Sequence, residues 1–322
     1  MAERRALVTG GAGFIGSHLT EKLLERGYTV HVIDDLSTGS FENIAHLESD
    51  KRFTHTVGTV LDTALMAKLI AGSDTVFHLA AAVGVEYVIE NQLKSIEINL
   101  GGTQVVLEHA TREKKKVILF STSEIYGKSE AVPFKEEDDR ILGPTTLARW
   151  SYAVTKAVDE IMALAYSREK DLAVVIVRCF NTCGPRQTGQ YGMVLPRFVT
   201  QALAGKPITV YGKGTQTRCF ASVYDVVEGV LTLAECDAAV GQILNLGGNV
   251  EVTIDDLARK VKDLANSSSP IEHIPYDRAY GKGFEDMMRR VPDLTRIRSL
   301  IGYEPRSSLD DIVNSVIKHL KS

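Results

Sequence analysis

Short apolar runs alternate, over the first 180 residues, with longer segments in which apolar residues recur every three or four positions, the pattern of strands alternating with helices. Ala6-Leu7-Val8 reads as a buried strand, and Ser17 to Arg26, with Leu19, Leu23 and Leu24 on one face, as a helix closed by Gly27. Further strands are expected at Tyr28 to Ile33, Phe53 to Gly58, Thr75 to Ala82, Val117 to Phe120 and Leu172 to Val177. The helical period places helices over Ala64 to Ala71, with Asp62 as cap, and over Ile98 to Arg112. Beyond Arg178 the alternation turns irregular. A helix from Tyr191 to Ala204, a strand Ile208 to Gly212, a helix near Val226, a strand Gln242 to Gly247 and a helix Thr253 to Leu264 follow, then a loop Asn266 to Pro270. The class is α/β: a doubly wound parallel sheet formed by residues 1–180 with a returning segment at about 220–246, and a smaller lobe drawn mainly from 181–322.

Between the first strand and helix lies Thr9-Gly10-Gly11-Ala12-Gly13-Phe14-Ile15-Gly16, and the second strand ends on Asp34-Asp35. A pyrophosphate must approach backbone N–H groups at a helix N-terminus, and a Cβ at Gly11 or Gly13 would hold it away. Gly16 lets helix and strand pack closely, and a carboxylate at Asp34, with Asp35 beside it, accepts bonds from ribose hydroxyls and repels a 2′-phosphate. Strand, turn, helix, strand and acid together describe a Rossmann unit for NAD rather than NADP.

Overall charge narrows the partners. With 44% apolar residues and a net charge of −4, the chain has no basic excess for nucleic acid or an acidic membrane surface. No apolar leader precedes the first strand and no long uncharged apolar stretch occurs, so a cytoplasmic protein is expected. The four cysteines, Cys179, Cys183, Cys219 and Cys236, lack a CxxC pair or a matching Cys/His pair, and are read as reduced thiols with no metal. His78, inside an apolar run, reads as a core imidazole, and Lys114-Lys115-Lys116 as a solvated turn.

The densest chemistry follows the fifth strand, at Ser121-Thr122-Ser123-Glu124, and twenty-five residues after Tyr126-Gly127, at Tyr152-Ala153-Val154-Thr155-Lys156. Tyrosine and lysine at i and i+4 share a helix face. A buried tyrosinate is a good base when a cation lowers its pKa, and Lys156 is read as that cation, with the Thr122 hydroxyl completing the bonding to a substrate hydroxyl.

Gly10-x-x-Gly13-x-x-Gly16, the strand-end Thr122 and Tyr152-x-x-x-Lys156 together resemble the extended short-chain dehydrogenase/reductase family, the NAD-dependent nucleotide-sugar epimerases, dehydratases and decarboxylases. The likeness runs through His78-Leu79-Ala80-Ala81, Arg178-Cys179-Phe180-Asn181-Thr182-Cys183-Gly184-Pro185 and Arg289-Arg290-Val291-Pro292. It implies that Phe14, Ile15, Leu79, Ala80, Ala81 and Asn99 join the glycines, Asp34, Asp35, Tyr152 and Lys156 around the cofactor. It implies that Asn181 and Arg290 face the substrate diphosphate, that the nucleotide base lies near Val210 and Tyr211, and that Gln216 belongs to the same lobe. It also implies a homodimer in which the helix ending at Arg112 and the Tyr152 helix pair with their copies in a four-helix contact.

The triplet Thr122-Ser123-Glu124 and the run Arg218-Cys219-Phe220 resemble UDP-glucuronate decarboxylases, where dehydratases carry an aspartate at the position of Ser123. The implied reaction is oxidation at C4, loss of CO₂ from the resulting β-keto acid and hydride return, converting UDP-glucuronate to UDP-xylose. Glu124 and Ser123 would lie near the carboxylate end, and Arg218 on the anionic substrate. Two alternatives stand: a 4-epimerase acting on UDP-glucuronate or UDP-glucose, and a non-catalytic NAD(H)-binding protein.

Overall fold

A computed structural model describes residues 4–189, 193–279 and 285–321. Tyr191 and Gly192, at the expected start of a helix, and Phe284, at the start of the segment leading to Arg290, lie outside the described residues.

Seven parallel strands form the central sheet. In chain order these are β1 (Arg5–Thr9), β2 (Thr29–Asp34), β3 (Phe53–Val57), β4 (Thr75–His78), β5 (Lys116–Thr122) and β6 (Val174–Cys179); the seventh, Ile243–Leu246, returns from far down the chain. The order across the sheet runs from the returning strand through β6, β5, β4 and β1 to β2 and β3. Winding reverses between β1 and β4, and that is where a crevice opens at the carboxyl ends of the strands. Strand residues are buried on both faces. Val30 and Val32 of β2 enter one apolar cluster and Ile33 the other, as a sheet covered by helices on both sides requires.

One face carries α1 (Phe14–Glu25); the opposite face carries α2 (Thr63–Ala71) and, after the short α3 (Val85–Glu90), α4 (Gln92–Arg112) and α5 (Ser151–Lys170). Helix α1 begins three residues before the sequence pattern places it, because the glycine turn is complete at Gly13, which serves as N-cap. Asp62 caps α2, its side chain accepting from Leu65 N at 3.0 Å. The apolar period found only Ile98 to Arg112 of α4, since the first two turns hold Gln92, Lys94 and Glu97. Strand β4 ends at His78, and residues 79–84 run on as a loop along the crevice. Lys116 starts β5, so the basic triplet is partly strand, with Lys114 at φ 52° making the turn.

The smaller lobe packs α6 (Val194–Leu203), α8 (Ile254–Leu264) and α11 (Leu309–Lys321) around Leu195, Phe198, Leu257, Val261, Val313 and Val316. Before α8, α7 (Val223–Ala234) goes back to the sheet face that carries α1, and α10 (Thr295–Ile301), which follows the short α9 (Tyr276–Ala279), packs beside it. Among the remaining strands, β7 (Thr182–Cys183), β8 (Ile208–Tyr211), β9 (Thr217–Cys219) and β10 (Ala221–Ser222) precede the returning β11; β12 (Glu251–Thr253), β13 (Ile271–Ile274) and β14 (Arg289–Arg290) follow it. β13 lies parallel to β8, and β14 lies parallel to β9 in the register Arg290 opposite Arg218. That register brings two arginines, distant in sequence, to one wall. No helix among the described residues is long and apolar enough to cross a membrane.

Candidate active site

A cavity of about 810 Å³ runs along the crevice between sheet and lobe, lined from Asp34 past Gly13 and Phe14 to Tyr152, and on to Arg290 and Tyr211. Its first half is backbone. Gly10, at φ 70°, passes so close to the loop after β4 that an added Cβ would lie 2.8 Å from Ala80 N, and a Cβ on Gly16 would lie 2.1 Å from Gly10 O. Gly13 provides no capping side chain, so the leading N–H groups of α1 are left for an anionic ligand. Gly11 has a different role from the one its spacing suggests: a Cβ there would strike Val32, 2.6 Å away in the core, so it serves packing rather than ligand approach.

At the end of β2, Asp34 accepts from Ala12 N at 2.9 Å and from Leu36 N at 2.8 Å, with the Gly13 N–H also directed at it, which fixes the carboxylate at the cavity wall. Burial pushes its carboxyl up, against those backbone bonds. Asp35 accepts from the Ser37 backbone and hydroxyl. Ser37, Thr38 and Asn43, absent from the sequence reading, line the same end. The donors at α1, the two acids and the small residues Ala80 and Ala81 fit an adenine dinucleotide with an unphosphorylated ribose.

The middle of the cavity is Tyr152, on the first turn of α5, with Thr122 and Ser123 at the end of β5 and Cys179 at the end of β6. The Tyr152 phenol is pushed well above its ordinary range, first by burial and then by the charges of Glu124 and Asp159. Lys156, one turn further along α5, is 2% exposed, with Nζ 2.8 Å from Asp159 Oδ2, and the phenol is raised rather than lowered as the Tyr/Lys spacing suggests. Asn99 is buried as well. It accepts from Ala82 N at 2.8 Å and donates to Thr155 Oγ1 at 3.2 Å, holding the loop after β4 against α5. His78 is a core residue, its ring shared between Thr9 Oγ1 and Thr103 Oγ1, and burial pushes it down to about 3.

Beyond Tyr152 the lining becomes charged. Glu124 sits between two guanidinium groups: Arg149 Nη2 is 2.6 Å from Oε2, and Arg290 Nη1 bonds Oε1. Burial alone would raise this carboxyl; Arg149 and Arg290 outweigh it and hold it at about 2. Arg218 completes the group, donating to the Thr217 and Met287 carbonyls and to Asp286 Oδ1 at 2.9 Å, and Asp286 is held in turn by the Tyr276 hydroxyl at 2.8 Å. Burial presses the Arg290 guanidinium down to about 10. Three guanidinium groups and two carboxylates thus share this wall of the cavity with Tyr152. Arg149 was missed by the sequence reading, although its place three residues before Tyr152 puts it on the same face of the α5 N-terminus. Arg290, expected at the substrate diphosphate, lines the cavity and bonds Glu124 beside Ser123.

The far end belongs to the smaller lobe. Tyr211 lines the cavity with Arg197 stacked 3.8 Å over its ring, and Gln216 donates to the Tyr211 carbonyl at 2.9 Å. Val210 points away, into the apolar cluster of that lobe, as alternation along β8 requires. Asn181, at φ 33°, donates to the Cys219 carbonyl at 3.1 Å and lines the cavity wall.

The sequence profile of the family described as GDP-mannose 4,6 dehydratase matches residues 7–316. UDP-N-acetyl-alpha-D-glucosaminuronate decarboxylase of Bacillus cytotoxicus is 42% identical over 318 residues, 98% of this chain and 97% of that protein. UDP-glucuronic acid decarboxylase 1 of Arabidopsis thaliana is 38% identical over 305 residues, 95% of this chain and 67% of that protein. The solved structure of UDP-glucuronic acid 4-epimerase from Bacillus cereus, in complex with UDP-glucuronic acid and NAD, superposes with a TM-score of 0.89 at 30% identity, covering 98% of this chain and 99% of the other.

Proposed function

Because the chain belongs to the GDP-mannose 4,6 dehydratase family, among the extended short-chain dehydrogenase/reductases, we propose that it is an NAD-dependent decarboxylase of a UDP-hexuronate, UDP-glucuronate or its 2-acetamido form. The observation that carries the proposal is the gathering of three guanidinium groups, Arg149, Arg218 and Arg290, around Glu124 and Asp286 in the cavity that also holds Tyr152. A hexose ring offers it nothing, whereas a hexuronate presents one carboxylate on the carbon beside the hydroxyl that Tyr152 meets. The decarboxylase relatives, at 42% and 38% identity, support the same reading.

Bound NAD would supply the hydride acceptor for C4 and return the hydride at the end. Tyr152, assisted by the Thr122 hydroxyl, accepts the C4 hydroxyl proton as the hydride leaves. The ketone so formed is β to the carboxylate. Breaking the bond between C5 and the carboxyl carbon releases CO₂ and leaves the electron pair in an enolate across C5 and the C4 oxygen. Thr122 and protonated Tyr152 then hydrogen-bond that oxygen; a proton taken from solvent at C5, hydride return to C4 and return of the Tyr152 proton to the C4 oxygen give the UDP-pentose. Glu124, ionised at neutral pH between its arginines, orients Arg149 and Arg290 rather than donating a proton.

A second reading, a UDP-glucuronate 4-epimerase, is favoured by the close superposition on the Bacillus cereus structure, since the same charge group would hold an intact carboxylate. An NMR time course of the protein with NAD and either UDP-glucuronate or UDP-N-acetylglucosaminuronate separates the two. A UDP-pentose with stoichiometric CO₂ is the expected result, and a C4-inverted hexuronate without CO₂ would establish the epimerase.

For assembly, the reading is a homodimer. Val154, Val158 and Ile161 are exposed along one stripe of α5, with Leu93 70% exposed on the adjoining α4. An apolar stripe across two packed helices is what a four-helix contact buries. The free cysteines fit a reducing cytoplasm.

A further inference from the structure

Lys156 and Asp159 form an ion pair sealed inside the protein, 2% and 0% exposed, with Nζ 2.8 Å from Oδ2. Both hang from α5, so the ammonium one turn along the helix from Tyr152 already has a carboxylate partner three residues further on. The other ionisable groups facing this region are engaged elsewhere or carry no charge. His78, on β4, stays neutral in its cage of threonine hydroxyls. Cys179, on β6, is a thiol that burial pushes up to about 12. Glu160, next along α5, binds Arg178 through both oxygens and accepts from Ser121. Glu124, after β5, is held by Arg149 and Arg290. Asp159 is thus the carboxylate that answers the lysine, and its charge opposes at Tyr152 the field that the ammonium would impose.

We propose that Asp159 is a positioning residue: it anchors Lys156 one helical turn from Tyr152 and, by cancelling the ammonium charge, sets the pH range in which Tyr152 works as a base. The inference deepens the reading of Tyr152 as base and rests on it. A lone lysine at this place would give a tyrosine active far into acid; the pair confines the active form to higher pH. Burial and the Asp159 charge both act on Tyr152 in the direction of the phenol, burial more strongly.

The test is the pH dependence of kcat/KM with UDP-glucuronate and NAD, for the wild type, Asp159→Asn and Asp159→Glu. In D159N the acid limb is expected to move to lower pH by about one unit, about a tenfold gain in relative rate on that limb. D159E, which restores the charge, is expected to return the limb toward its wild-type position. A purely structural aspartate would lower the melting temperature and leave the limb in place, and that result would overturn the proposal. If the orphaned lysine prevents D159N from folding, Lys156→Gln and the double variant K156Q/D159N bury no unpaired ammonium and read the same effect. The double variant must then have the lower limb, and coincident limbs defeat the inference. Tyr152→Phe keeps the two levels apart. Turnover in Y152F refutes the tyrosine as base, whereas an inactive Y152F with an unmoved D159N limb refutes the role of Asp159 alone.

Discussion

Replacing Glu124 by glutamine tests the charge group that carries the functional reading. In the folded protein the Glu124 carboxyl is held at about 2 against an ordinary 4.5. At about 1.4 kcal/mol per pH unit, that gap makes the ionised group worth about 3 kcal/mol of stability. The sign follows from the folded value being the lower one. The contribution is complete above pH 4.5 and is lost as pH falls from there toward 2. E124Q should therefore unfold with about 3 kcal/mol less free energy than the wild type at pH 7, and the difference should close through that acid window. The same substitution leaves Arg149 and Arg290 facing each other without the carboxylate between them, which adds to the cost. A second carboxylate can take the vacated place. UDP-glucuronate should raise the melting temperature of E124Q more than that of the wild type, and UDP-glucose should not. Denaturant titrations at pH 7 and pH 3, with thermal scans against both nucleotide sugars, supply the measurements. Equal stability of the two proteins at pH 7, or equal rescue by both sugars, would remove the argument that these arginines are arranged for a substrate carboxylate.

Three other substitutions probe separate parts of the cavity. Gly16→Ala sets a Cβ 2.1 Å from Gly10 O, so calorimetry should show NAD affinity falling at least about tenfold as the turn opens; unchanged affinity would mean the dinucleotide lies elsewhere. Arg149→Gln should raise KM for UDP-glucuronate by about ten- to a hundredfold, the loss of one charge-assisted hydrogen bond, while inhibition by UDP stays constant; a parallel loss for UDP would assign Arg149 to the diphosphate. Ile161→Glu puts a charge into the exposed stripe of α5, and sedimentation velocity should show a monomer where the wild type is a dimer.

What the chain displayed locally was legible without coordinates. The first βαβ unit, the cap at Asp62 and the strand-end hydroxyl of Thr122 each depend on neighbours within a few residues, so their patterns name them. The core role of His78 was also readable, because an imidazole in an apolar run can be satisfied only by hydroxyls from adjacent elements. Charge pairing across the cavity was not. Glu124 meets Arg149 because the loop between β5 and α5 folds back, and it meets Arg290 because β14 adds to β9 in one particular register. Neither contact leaves a periodic trace. Lys156 shows the same limit within a single helix. Its spacing from Tyr152 suggested a cation acting on a phenol, yet Asp159, three residues on, lies close enough to the same face to take the ammonium first.

These pairings explain how one short strand end can serve two chemistries. On the proposed reading, Thr122 meets the hydroxyl to be oxidised, and Glu124, paired with Arg149 and Arg290, fixes the guanidinium groups that would receive the carboxylate. Two residues of extended chain reach at most about 7 Å, so the oxidation site and the carboxylate site both lie within reach of one sugar ring. A β-keto acid is formed only when those two functions are adjacent on the sugar. The pocket therefore selects for the arrangement that makes loss of CO₂ easy before any residue acts on the carboxylate itself. Its arginines need only orient that group, and guanidinium groups already shared with Glu124 and Asp286 attract a carboxylate without holding the charge so tightly that its departure as neutral CO₂ is opposed.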